Sequence, residues 1–320
     1  MNSQKESSKV KKELNQIKPK DLFKKLKTEY FIQNIFDKLL KKKVLEIIKY
    51  NKRQQKLLNI TIKDYKEYSE KYSSIIIEIK PVKNKYGNFI DFHETLDKFF
   101  HIYFNNSNKK INRLHLNKDE NVSNIKVIID YPVKELFSLF FFCDCVESIS
   151  FKRFNRNNIT NMSCMFMGCS SLKNLDLRIF NTDNVTNMSS MFYECFSLKE
   201  LDLSNFNTNN VTDMRYMFCK CASLTELNLN NFNTNNVNDM QSMFFGCSSL
   251  IKLNISNFNT EKVIYMNNIF SECSSLEEVN INNFVINNET DVSNMFTGCS
   301  DEFKKKMKSQ YKYIKEEAFK

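Results

Sequence analysis

The chain has 320 residues, enough for two or three compact domains or for one elongated domain. It contains no Trp, 4 Gly and 3 Pro, which excludes an ordinary all-β protein unless the many Asn residues close the turns. The net charge of +10 is unevenly placed, because residues 1–60 carry 17 Lys/Arg against 6 Asp/Glu, whereas residues 161–300 carry 7 against 14. The two regions therefore offer surfaces of opposite charge.

The first residues have the composition of a disordered basic tail, which we assign to 1–18. Met1 to Lys20 lacks an apolar core, so we expect no signal peptide. The longest strongly apolar stretch, Leu136 to Cys143, is far shorter than the roughly 20 residues that a membrane-spanning helix needs. We therefore expect an intracellular, cytoplasmic protein with no transmembrane segment.

Residues 19–72 are predicted to be helical, with Phe31, Ile35 and Leu39 on one apolar stripe. Residues 30–40 loosely resemble an F-box helix, although the Leu-Pro opening of that motif is absent. The basic side chains between 41 and 56 also leave open a contact with nucleic acid or an anionic membrane. A solvated helix face is the favoured interpretation of these charges.

Residues 73–121 read as a small β-rich capping region. Ile75 to Lys80 and His101 to Phe104 are strand-like, and Asn105 to Asn108 has the composition of a turn. We expect this region to cover the open edge of the repeats that follow, because an uncovered strand edge invites aggregation.

An internal repeat of 26 residues dominates the rest of the chain. Cysteine shows it at Cys143, Cys169, Cys195, Cys221, Cys247, Cys273 and Cys299, and a Phe precedes each of these by three residues. Such regular spacing identifies a repeat architecture, which we place at 122–300.

One unit illustrates the expected coil. Leu198-x-x-Leu201-x-Leu203 predicts a short parallel strand with its leucines inward, residues 207–210 a turn, and residues 211–221 a short helix or tight helical turns. The residues Asn181, Asn207, Asn233 and Asn259 are expected to form a structural ladder that satisfies turn backbone groups. A single unit cannot bury enough apolar surface to fold alone, so the units must stack. The predicted fold class is an α+β repeat solenoid with leucine-rich-repeat-like coils, preceded by the helical region and the β cap.

These units resemble the BspA-like leucine-rich-repeat family, as residues 187–208 show most clearly with Asn-Met-Ser-Ser-Met-Phe-Tyr-Glu-Cys and Leu-Lys-Glu-Leu-Asp-Leu-Ser-Asn-Phe-Asn-Thr. The resemblance implies a right-handed solenoid that binds proteins and carries no catalytic site. Because bacterial members often lie on cell surfaces, it also implies an adhesin-like protein as an alternative.

The two ends of the repeat region depart from the pattern. Val122-x-x-Ile125-x-Val127 predicts a shortened extra unit over 122–145. After Cys299 the chain becomes charged, and Phe303 and Met307 share one helical face, so residues 301–320 are predicted to be a C-terminal capping helix.

No pattern in the chain indicates catalysis. In-register cysteines about 4.8 Å apart do not suit disulfides and are expected to be buried core residues. Cys143-x-Cys145 and Cys219-x-Cys221 lie three units apart, too far to share one zinc ion. There is no Gly-rich phosphate loop, and the three His residues lie outside the repeats. We therefore expect no enzyme activity, no metal and no cofactor.

The outward side of the predicted strands varies from unit to unit and is the predicted site for a protein partner. Its candidate contact residues are Lys199, Glu200, Asp202, Thr225, Glu226, Asn228, Lys252, Asn254, Glu277 and Glu278. The favoured function is a protein-interaction module or scaffold. The alternative is an F-box-like substrate adaptor, in which the N-terminal helices dock a complex and the repeats select the client.

Overall fold

A computed structural model of the protein describes residues 44–45, 48–91, 99–130 and 133–320. The chain divides into two compact units, residues 1–69 and 70–320. Several predictions concern residues outside the described ranges: the tail 1–18, the apolar stripe from Phe31 to Leu39, the F-box-like segment 30–40 and the lysines at 41–43.

Two short helices are described near the start of the chain, α1 (Lys52–Leu57) and α2 (Ile62–Tyr72). A reciprocal cap begins α2. The N–H of Thr61 donates to Asp64 Oδ2 at 2.8 Å, and the N–H of Asp64 donates to Thr61 Oγ1 at 3.3 Å. These contacts satisfy backbone donors that the first turn of a helix leaves unpaired.

A six-stranded sheet, in the order β4-β3-β6-β1-β7-β8, joins the small β region to the first repeats. The strands of the chain are β1 (Ile75–Pro81), β2 (Gly87–Asn88), β3 (Phe100–Phe104), β4 (Lys110–Ile111), β5 (His115–Leu116), β6 (Ile125–Ile129), β7 (Val146–Arg153), β8 (Asn174–Asp176), β9 (Lys252–Asn254) and β10 (Glu278–Asn280). β1 is antiparallel to β6 and to β7, and β7 is parallel to β8. Alternate residues of β1 (Ile75, Ile77 and Ile79) are fully buried, as a strand with one core face requires.

The 26-residue units stack through continuous backbone hydrogen bonds, which we call the backbone ladder. Parallel bridges join its residues Glu135, Asn161, Asn187, Asp213, Asp239, Tyr265 and Asp291. Along it, Phe192 N donates to Met217 O and Phe218 N donates to Met243 O, both at 2.9 Å. Each unit therefore supplies alternate N–H groups to the carbonyls of the next unit.

The segments of the backbone ladder are turns rather than the short helices that the spacing allowed. In one unit, Tyr216 and Lys220 have φ values of 57° and 58°. Left-handed residues at these two places prevent a helix. In this conformation alternate N–H groups can donate to the carbonyls of the neighbouring unit, whereas a helix would use the same N–H groups for bonds within its own turns.

The core between the two sides of the units is a column of aligned side chains. The rings of Phe192, Phe218 and Phe244 are stacked with centroids 5.6 Å apart and are completely buried. Leu198 and Leu224 are also buried within one continuous core. Residues 26 apart therefore do lie over one another, as the repeat predicted.

The predicted short parallel strands form only in part. They pair as β7 with β8 and as β9 with β10, and a single bridge joins Asn228 to Asn254. Residues 199–203 form no strand. The described chain is thus mostly β with few helices, has open sheets and consists of repeats.

The expected extra unit at 122–145 exists only in its second half. Phe140 stacks on Phe166 with ring centroids 5.5 Å apart, and Leu136 N donates to Asn161 O at 2.9 Å. Its first half is β6, which lies between β1 and β3 in antiparallel pairs. The prediction of a leucine-rich-repeat strand there is wrong, because β1 occupies the place beside β7.

After the last unit, α3 (Asp301–Gln310) packs Phe303 and Met307 into the core. Its first turn is capped by the Ser300 side chain, which accepts from Phe303 N at 3.2 Å. The chain then continues into a 3₁₀ helix, Glu316–Phe319. The helix of the predicted capping region is thus shorter than 301–320.

Candidate interaction surface

The ten predicted contact residues lie on the strand face, meaning the outward side of segments 147–153, 173–178, 199–202, 225–228, 251–254 and 277–280. All ten side chains are exposed. In one unit Leu201 and Leu203 are buried, while Glu200 and Asp202 point outward. This alternation is the period of two that an extended segment produces.

Three grooves run along the strand face. The first, of about 990 Å³, is lined by residues that include Lys199, Glu200 and Asp202. The second, of about 470 Å³, is lined by Thr225, Glu226, Leu227, Asn228, Asn230, Ile251, Lys252 and Asn254. The third, of about 560 Å³, includes Lys252, Asn254 and Glu278. Nine of the ten predicted residues therefore line a groove, and Glu277 lines none of the three.

Several groove residues were not among the predicted contacts, and three of them are long polar side chains near the ends of the row. Arg178 lines the first groove, and Lys306 and Gln310 of α3 line the third. Arg178 could have been predicted from the sequence, because it is the next outward position after Asp176. The two α3 residues could not, because their position depends on how the helix folds back against the last units.

Charged pairs across neighbouring units neutralise part of the strand face. Lys173 Nζ lies 3.3 Å from a carboxylate oxygen of Glu147, and Lys252 Nζ lies 3.1 Å from one of Glu278. By contrast, Glu200, Glu226 and Glu277 form no ion pair within the part of the chain that the structure describes. These three carboxylates remain available to a cationic partner.

The acidic groups around the first groove ionise readily. The guanidinium of Arg178 lowers the pKa of Asp176 below its ordinary value, and hydrogen bonds from Ser204 lower the pKa of Asp202. Lys80, followed by Lys173, lowers the pKa of Glu147. These groups are therefore carboxylates at neutral pH, and the groove carries both signs of charge.

The periodic cysteines do not contribute to this surface. All ten cysteines are free, and the seven at the 26-residue step are buried. The thiol of Cys221 donates to Phe192 O at 3.1 Å, and Cys247 makes the equivalent bond to Phe218 O at 3.1 Å. Burial raises the pKa of the Cys221 and Cys247 thiols well above the ordinary value. They are structural side chains and poor nucleophiles.

A polar ladder of Asn and Thr side chains lies at the predicted turns. Asn233 Nδ2 donates to Asn209 Oδ1 at 2.7 Å, and Asn233 Oδ1 accepts from Asn235 N at 2.9 Å. The hydroxyl of Thr208 donates to Asn233 O at 2.9 Å and accepts from Asn233 N at 2.7 Å. The structural role expected for the Asn residues is confirmed, whereas the Thr residues were overlooked. The sequence did indicate a structural role for Thr, because the repeat period is also kept by Thr182, Thr208, Thr234 and Thr260, which are 26 residues apart.

In the described residues no group of three or more His, Cys, Asp or Glu side chains is placed to hold a metal ion. Among the helices of those ranges, none has the length and apolar character needed to cross a bilayer.

Comparison with known proteins identifies the repeat region. A family model described as "Mycoplasma protein of unknown function, DUF285" matches residues 134–249 and 221–317. Comparisons with curated proteins and with solved structures found no match. The two matched ranges together span residues 134–317, more than half of the chain. The chain therefore belongs to the DUF285 family.

Proposed function

We propose that this protein is a non-catalytic interaction module, a leucine-rich-repeat-like solenoid of the BspA-like kind, which binds a protein partner along its strand face. Membership in a repeat family of unknown function is compatible with this role. The units present the same fixed core and a different outward surface in each coil. An extended surface of this kind is typical of repeat proteins that bind other proteins.

One observation carries the proposal: the outward residues that vary between units are exposed and line a row of three grooves. The positions that repeat, such as Phe218 and Cys221, are buried. The backbone ladder also fixes the opposite side, so changes on the strand face leave the hydrogen bonds between units intact. The face can therefore vary without loss of the fold.

The free carboxylates of Glu200, Glu226 and Glu277 favour a partner that presents Lys or Arg side chains. Solvent-exposed pairs of this kind are screened by salt over about 8–10 Å near physiological ionic strength. They contribute mainly to the association rate and to specificity. We therefore expect binding that weakens as salt concentration rises.

A charge-reversal experiment tests this function. The face variant carries Glu200→Lys, Glu226→Lys and Glu277→Lys. A control variant carries Glu261→Lys, Glu289→Lys and Glu302→Lys, which change the net charge equally at exposed positions outside the strand face. Far-ultraviolet circular dichroism of both variants should match the parent chain.

The readout is proximity labelling with the full chain, followed by affinity measurement on the purified partner. The face variant should lose at least tenfold in affinity, or about 1.4 kcal/mol, while the control variant keeps the parent affinity. Equal affinity in the face variant and the parent would reject the strand face as the binding site. Equal loss in both variants would attribute the effect to net charge alone.

A further inference from the structure

The last rung of the backbone ladder, residues 292–298, has backbone donors with no following unit. By the pattern of the ladder these are the N–H groups of Val292, Asn294, Phe296 and Gly298. Two of these N–H groups donate to backbone carbonyls of residues 315–320, which we call the cover segment. Asn294 N donates to Glu317 O at 2.9 Å, and Phe296 N donates to Ala318 O at 2.8 Å.

The cover segment also imitates the core of a further unit. The Phe319 ring stacks on Phe296 with centroids 5.1 Å apart, extending the column of stacked Phe side chains. Several side-chain contacts hold it there. Ala318 is completely buried, Lys308 Nζ lies 2.7 Å from Glu316 Oε2, and the same ammonium lies 4.8 Å from the centre of the Phe319 ring. Lys315 Nζ also donates to Thr290 O at 3.0 Å, and the hydroxyl of Thr297 donates to Lys320 O. None of these contacts is a hydrogen bond between two units of the ladder, so removing the segment leaves the bonds between the units beneath it intact.

The first rung, residues 134–142, has the complementary edge. Its outward carbonyls are those of Glu135, Phe137, Leu139 and Phe141, since the equivalent carbonyls of every later unit accept from the unit before. Leu139 O accepts from Asp91 N at 2.8 Å. Glu135 O and Phe137 O accept no hydrogen bond in the described parts of the chain.

Two aromatic side chains of the same rung are exposed. Phe137 and Phe142 are each 50% exposed. Unsatisfied strand-like acceptors beside exposed apolar rings are features that promote edge-to-edge association. One end of the ladder thus offers acceptors, and the other end has donors under the cover segment.

We propose that the acceptor edge is a docking surface for the donor edge of a second copy of this chain, and that the cover segment controls this contact. While the cover segment is in place, its carbonyls occupy the donors of Asn294 and Phe296. Once it is displaced, the donor edge of one copy adds to the acceptor edge of the next, head to tail. In the register of the ladder, the N–H groups of Val292 and Asn294 then donate to Glu135 O and Phe137 O. The two edges differ, so the contact does not close on itself and copies add in series.

The experiment compares the chain ending at Ile314 with the full chain by sedimentation velocity over a concentration series. We expect the full chain to sediment as a monomer of 38.0 kDa, and the truncated chain to form dimers and higher species as concentration rises. Adding Phe137→Asp and Phe142→Asp to the truncated chain should restore the monomer. Ile251→Asp and Ile264→Asp, which are similarly exposed but lie on neither edge, should not.

Two results would overturn the proposal. One is a truncated chain that keeps the circular dichroism of the parent and stays monomeric at every concentration. The other is assembly that persists with aspartate at both Phe137 and Phe142. If truncation prevents folding, amide hydrogen exchange in the full chain decides instead. A detachable cover requires faster exchange at Asn294 and Phe296 than at Phe270, and equal protection would refute it.

Discussion

The buried hydroxyl of Thr208 provides the sharpest test of how the units are joined. Its side chain is 1% exposed, and it makes two hydrogen bonds to the backbone of Asn233 in the next unit. Thr208→Val keeps the size and shape of the side chain but removes both bonds. The change therefore isolates the hydroxyl from the packing around it.

The expected cost of Thr208→Val follows from the groups left behind. The N–H and C=O of Asn233 would each lose a partner, and an unsatisfied buried polar group costs about 1–3 kcal/mol. Because Asn233 is only partly buried, the lower part of that range applies to each group. We therefore expect the free energy of unfolding to fall by about 2–4 kcal/mol, as measured by urea denaturation followed by circular dichroism.

Two matched variants accompany the measurement. Thr208→Ser keeps the hydroxyl and loses one methyl group, so it should cost about 1 kcal/mol. Thr212→Val removes an exposed hydroxyl that donates to Thr186 O at 3.2 Å, and should stay within about 0.5 kcal/mol of the parent. If Thr208→Val destabilises no more than Thr208→Ser, the hydroxyl does not join the units and the reasoning fails.

Two further predictions concern the core and the ladder. Phe218→Ala removes one ring from the centre of the stacked column and should lower the free energy of unfolding by about 3–5 kcal/mol, again measured with urea. Burial raises the pKa of Asp213 above its ordinary value, so the folded state holds this proton more tightly than the unfolded state, and ionisation destabilises the fold as pH rises through that window. Asp213→Asn should thus be more stable than the parent at pH 7, and this advantage should shrink at about pH 3. Asn fits the site, because Asn187 makes the same turn at the equivalent position of another unit. A variant that is less stable than the parent at pH 7 would contradict this prediction.

The period and the core were predictable from the sequence. Periodic apolar residues such as Leu198, Met217 and Phe218 are buried as the pattern indicated. Side chains that recur at the same place in every unit form one common core only when the units stack. The stacking of residues 26 apart follows from the same regularity. These conclusions need no knowledge of the backbone hydrogen bonds.

The side that holds the units together was not predictable in the same way. The leucine pattern at Leu198, Leu201 and Leu203 indicated strands, yet the continuous hydrogen bonds lie on the opposite side. Residues at three- and four-residue spacing, such as Met214 and Phe218, fit a helix and a series of tight turns equally well. What separates the two is the left-handed backbone at Tyr216 and Lys220. Neither residue type signals it in this unit. The signal lies in the other units, where Gly168, Gly246 and Gly298 occupy the Lys220 position and Asn268 and Asn294 the Tyr216 position, since Gly or Asn is the usual choice for such a backbone.

The place of the backbone ladder has a consequence for function. If the units were joined mainly through the strand face, each change at Glu200 or Glu226 would occur on the element that supports the stack. Instead the turns carry the hydrogen bonds, and the hydroxyl of Thr208 and its equivalents reinforce them. The strand face therefore carries a smaller share of the hydrogen bonds that hold the units together. Its grooves can acquire new side chains unit by unit while the period, the core and the turns stay the same, as the proposed function requires.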